Sequence, residues 1–132
     1  MTLGEYLRSE MQRPWEWGWA DCCTFAADWV LSRTAIDPLL PWRGTYCDEA
    51  GAEDIIAQAG GLLPLVALGM DAIWQRRETP CDGMVGVITL PGETGELIDI
   101  AAIHTGKRWA MRSPRGIAFL TQPMAVRASW AR

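Results

Sequence analysis

"WGWADCCTFAADWV", residues 17–30, decides how the rest of the chain is read. Asp21 is a good N-cap, because a short carboxylate can accept from the free amides of a first helical turn. From Cys22 to Ser32 the only polar side chains are Thr24, Asp28 and Ser32, four apart, as on one side of a helix. This spacing predicts a largely buried helix with a narrow solvent stripe along those three residues. At about 100° per residue Cys22 then points away from the stripe, toward the core, and Cys23 toward a flank. A thiol in a first helical turn sits at the positive end of the helix dipole, which favours thiolate, and nearby free amides can hold an oxyanion. Cys22 is therefore a candidate nucleophile as well as a candidate core residue. Asp21 needs no role beyond capping, and its charge opposes thiolate formation.

On the N-terminal side of this stretch, "TLGE" (2–5) fits a capping box for a short helix that must stop before Pro14. Trp15, Trp17 and Trp19 alternate, so an extended connector would place them on one face, as a cover for a groove beside Cys22 or as an anchor for a partner. On the C-terminal side, 36–46 has two prolines and a glycine and reads as a loop. Asp48 caps a helix running to Ala59 and closed by Gly60-Gly61, and a shorter helix is expected over Leu65 to Trp74. Beyond "ETPCDG" the pattern changes to short apolar or alternating runs at 84–90, 96–103, 107–111 and 116–120, separated by turn clusters. The reading is an α+β domain over 1–132, helical to about residue 80, with the Cys22 helix on an antiparallel sheet of about four strands.

Composition narrows the function classes. A chain of 132 residues, 49% apolar and 21% charged, is one domain's worth and can bury a core. No apolar run approaches the ~20 residues of a membrane-spanning helix. The N-terminus has no basic start followed by an apolar run, so no signal peptide is expected and synthesis is expected in a reducing cytoplasm. Net charge is −4, without the basic stripe of a nucleic-acid binder. The four cysteines, Cys22, Cys23, Cys47 and Cys81, are expected to be free thiols. They contain no Cys-x-x-Cys pair, and adjacent helical cysteines diverge by about 100°, so no cofactor and no metal is assigned. An iron–sulfur or metal-binding protein is the least favoured reading. The sole imidazole is His104, so any Cys–His chemistry must use it.

Trp17-Gly18 followed by Asp21-Cys22 at a helix start, then "GMV" opening a sheet, resembles the NlpC-like cell-wall cysteine peptidases, which have a compact papain-like fold. A closer resemblance covers nearly the whole chain, to a family of small proteins encoded in the tail gene clusters of phages, prophages and gene transfer agents. It runs through "WGWADCCTFAADWV", "RGTY" (43–46), "AGG" (59–61), "DGMVGV" and the C-terminal "GIAFL" and "AVRASW". The resemblance implies that Cys22 holds the nucleophile position and that Cys23 stands where the peptidases usually carry a small residue such as serine. Aligned with the peptidases' second core strand, the base position falls on Ile100, and His104 comes four residues later, on the same side of the strand but ~13 Å along it. The preferred expectation is a structural component of a phage-type tail, at the tip or baseplate and contacting other tail proteins, made in the bacterial host cytoplasm and carried in the virion, on a peptidase scaffold without its base. The alternative is an active peptidoglycan cysteine hydrolase in which Cys22 attacks, His104 takes its proton and the Cys22 amide helps hold the oxyanion.

Overall fold

A computed structural model describes all residues, Met1–Arg132. Four helices are followed by an antiparallel sheet: α1 (Leu3–Met11), α2 (Cys22–Thr34), α3 (Glu49–Ala59), α4 (Leu62–Met70), then β1 (Gln75–Arg76), β2 (Val85–Pro91), β3 (Leu97–His104), β4 (Trp109–Ser113), β5 (Gly116–Leu120) and β6 (Ala125–Ala131). The class is α+β, with six strands rather than four, in the order β1-β6-β2-β3-β4-β5.

Local chemistry explains the helix ends. Thr2 and Glu5 close a capping box on α1. Asp48 accepts from the Gly51 amide at the head of α3, and Gly60 ends that helix in the left-handed conformation. The second pair of helices departs from expectation at α4, which starts at Leu62 and ends at Met70. Pro64 falls in its first turn, where the missing N–H costs nothing because that amide has no intrahelical acceptor. No single helix is long and apolar enough to cross a membrane.

The sheet separates two sets of buried side chains. Val85 and Val87 on β2, Ala101 and Ile103 on β3, Ala110 and Trp130 face the helices and pack with Tyr6, Phe25, Trp29 and Leu65. Met84, Ile88 and Ala102 face the other way and pack with Trp109 and Met111. Register enforces this division: Val85 pairs with Ile103, Gly86 with Ala102 and Val87 with Ala101, so neighbours on adjacent strands share a face. Gly86 is where the Trp109 indole crosses from β4; a Cβ there would lie 2.6 Å from the ring.

β6, the last strand, lies between β1 and β2 rather than at an edge. Its register against β2 skips Arg127, since Ala128 pairs with Val87 and Val126 with Ile88. The bulge turns Arg127 to the side of Asp99, whose carboxylate accepts from it at 3.3 Å and from Thr89 at 2.6 Å. Helix α1 is tied to β4 by Arg112, 1% exposed, whose guanidinium donates to the Glu10 carboxylate and to the carbonyls of Glu10 and Arg13.

α2 ends at Ala35, a non-glycine residue with φ 62 and ψ 15. An L side chain in that region is strained by about 1–2 kcal/mol, partly offset in glycine by its greater freedom when unfolded. Ala35→Gly is expected to stabilise the protein by about 0.5–1 kcal/mol in urea denaturation; unchanged or lower stability would show that the αL cap carries no strain.

Candidate functional site

The head of α2 is built around one carboxylate. Asp21 is 1% exposed. Its Oδ1 accepts from the amides of Cys23 (3.0 Å) and Thr24 (2.9 Å), and its Oδ2 from the Gly18 amide (2.8 Å) and the Tyr46 hydroxyl (2.5 Å). The Thr24 side chain closes the box by accepting from the Asp21 amide at 2.7 Å. Burial, then the bond to Asp21, push the Tyr46 phenol above its ordinary range, so it stays protonated and donating. Gly18 has φ 84, and a Cβ there would meet the Tyr46 carbonyl at 2.6 Å, so only glycine lets the loop approach. Trp17-Gly18, Asp21 and the Arg43-to-Tyr46 loop therefore form one unit. Arg43 anchors that loop through Asp37 and Asp28, at 2.8 and 2.7 Å.

This arrangement corrects two expectations about α2. Thr24 is wholly buried, because its hydroxyl is used in the cap, so it does not mark a solvent stripe. With that reference direction removed, the inward thiol is also reassigned. Both thiols are half-buried, but it is Cys23 that packs against the helix-side core and lines a small apolar cavity with Ala26, Ala27, Leu39 and Met70. The hydrogen bond to Cys22, then burial, raise the Cys23 thiol well above its usual range.

The three tryptophans do not share a face. The chain reverses between Glu16 and Ala20, which pair with each other, so the segment is a tight turn rather than extended. Trp15 and Trp17 meet edge to face at 5.0 Å, while Trp19, 47% exposed, lies over Gly44.

His104 is not brought to Cys22. It follows Ile103 on β3, so by alternation it faces away from α2, and its ring meets Trp109 edge to face at 4.8 Å. It is also remote along the helix: the Trp29 indole donates to the Gly83 carbonyl, and the Gly83 amide donates to the His104 carbonyl. Cys22 lies seven residues before Trp29, ~10 Å along the axis. Ile100 is likewise on the far face, opposite Ile88. The β3 side chain that does line the cavity beside Cys23 is Ala101, which cannot accept a proton. His104 Nδ1 instead accepts from the Gly106 amide at 2.9 Å, closing the turn before β4. Desolvation lowers its pKa, against a smaller opposing effect of Asp82.

All four cysteines are free, Cys47 and Cys81 being exposed. The sulfurs of Cys22 and Cys23 and a carboxylate oxygen of Asp21 lie within 4.8 Å of one another. Side chains in a first turn have no preceding turn to clash with, so adjacent thiols can rotate toward each other instead of diverging. Tyr46 was present in the sequence only as part of "RGTY"; the signal for its role was the glycine at position 18, which admits it.

The chain matches the model of a family described as Domain of unknown function (DUF6950) over residues 1–131. It belongs to that family. No curated protein and no solved structure matches it. The family model spans every residue of the Asp21 unit, the cavity behind Cys23 and all six strands.

Tyr46→Phe removes a bond to a buried charge and is expected to destabilise the protein by about 1.5–3 kcal/mol; a change under about 0.5 kcal/mol would mean that the Asp21 cap holds without the loop. Burial holds the folded His104 imidazole below its ordinary pKa of about 6.5. The unfolded chain thus binds the proton first, and this contribution to stability is present above pH ~6.5 and is lost as pH falls below it. His104→Asn keeps an acceptor for Gly106 and is expected to flatten the fall in stability over that acidic window, read from denaturation midpoints. An unaltered pH dependence would contradict the assignment.

Proposed function

We propose that this DUF6950 chain is a papain-like (NlpC-like) scaffold that has lost its catalytic base and serves as a structural component of a phage-type tail, at the tip or baseplate. The observation that carries the loss of catalysis is the placement of His104, the sole imidazole, on the face of β3 turned away from α2, the helix that begins at Cys22. Without a base, a thiol in a helix's first turn beside a buried carboxylate is a poor nucleophile for an amide. The papain-like reading is supported by a helix beginning at Asp21-Cys22 and packed on an antiparallel sheet. The tail assignment rests on the ordered motifs shared with the tail-cluster family, and it carries with it virion localisation and neighbouring tail proteins as partners. Peptidoglycan would be a ligand only for an active hydrolase.

An apolar shoulder supports a partner-binding role. Ile36 and Leu68 are 53% and 66% exposed and line a groove together with Pro38, Trp42 and Ile73. Large exposed aliphatic side chains grouped on one rim are what a protein interface covers. We assign this shoulder to a neighbouring tail protein.

The test is complementation of a phage or prophage whose copy of the gene is deleted. Particles lacking the chain are expected to assemble with defective tails, and normal infectious particles would refute the structural role. The His104→Asn chain is expected to restore normal particles; failure to do so, with a folded protein, would favour the hydrolase. Leu68→Glu, at an exposed position, is expected to leave stability within about 0.5 kcal/mol of the parent and yet exclude the chain from particles. Normal incorporation would move the interface elsewhere.

A further inference from the structure

We propose that Cys22 and Cys23 together form a two-thiolate clip for a soft, thiophilic divalent cation. The proposal is independent of the assembly role above. A thiol at a helix start would not carry it; what does is the convergence of two adjacent sulfurs. The two sulfurs lie within 4.8 Å of each other, and two sulfurs bound at ~2.3 Å to one tetrahedral ion stand ~3.8 Å apart.

The surroundings select the class of ion. Asp21 is the third potential ligand, but each of its oxygens already accepts two hydrogen bonds, so it contributes negative charge rather than a bond to the metal. Two sulfurs without an available oxygen or imidazole exclude magnesium and calcium, which require oxygen ligands, and suit ions that prefer thiolate. Behind Cys23 the wall is apolar and carries no carboxylate or imidazole, its one soft atom being the Met70 thioether sulfur. Cys22 is half-buried, so the ion enters from solvent on its side and keeps its remaining positions for water or for a side chain of another protein.

Binding exchanges protons for metal. Two S–H bonds break, two metal–sulfur bonds form, and two protons leave to solvent, with no change in oxidation state. Because the metal displaces thiol protons, affinity rises with pH.

Cadmium(II) is the probe, titrated into the reduced full chain and followed by the ultraviolet thiolate-to-cadmium charge-transfer band and by the release of protons. One equivalent is expected to saturate the first step and release about two protons when both thiols start protonated. A Cys47→Ser/Cys81→Ser chain is expected to bind unchanged, and Cys22→Ser and Cys23→Ser each to lose the step. Survival of that step in either single variant, its loss in the double variant, or no band at all would overturn the proposal. A second measurement needs no variant: phenylarsine oxide takes two thiols and loses one water, and mass spectrometry is expected to find one arsenic bridging Cys22 and Cys23 in a single tryptic peptide. Arsenic carried on any other pair, or absent, would equally overturn it.

Discussion

The carboxylate of Asp21 is the constraint on which the rest depends. A charge removed from water costs several kcal/mol unless its lone pairs are filled, and here four donors from three segments fill them. The turn at Gly18, the first turn of α2 and the loop ending at Tyr46 are held together by that need. Removing any one donor leaves the same buried charge less compensated. The unit also explains the glycine, tyrosine and threonine around the Asp21-Cys22 pair: glycine for approach, tyrosine for the second oxygen, threonine to return the cap. None of these roles requires chemistry at the thiol.

The second constraint is the strand's period of two. One residue of register decides whether a β3 side chain meets α2 or the opposite cluster, and Ile100, Ala102 and His104 fall on the opposite side. The sheet thereby stands between thiol and imidazole. His104 is used locally, accepting from Gly106 and packing on Trp109, and its lowered pKa follows from burial there. A single bulge on β6 applies the same rule in reverse, turning Arg127 to the face where Asp99 awaits it.

What could be read from sequence was what local chemistry controls. The caps of α1, α2 and α3 lie within a few residues of the helices they open, and their positions follow from side chains at short range. The four runs between 84 and 120 alternate cleanly enough to be recognised as strands. β6 was hidden because its bulge breaks that alternation, and β1 because two residues carry no period. Pro64 concealed the start of α4. At the site, Asp21 was legible as a cap, but the orientation of the two cysteines was not. It was inferred from Thr24 as a solvent-facing residue, and a hydroxyl that completes a cap is polar without being exposed. The tryptophan run misled for the related reason that alternation has meaning only in extended backbone, and 16–20 is a turn.

Together these features describe a thiol-bearing helix head with no imidazole beside it. The most direct test is the pH dependence of alkylation at Cys22, measured by mass spectrometry with iodoacetamide in the parent and in His104→Asn. The account predicts that the two profiles superimpose, because no imidazole lies beside the thiol. An additional limb in the parent profile that disappears with His104 would show a thiol–imidazole pair in solution and contradict the account.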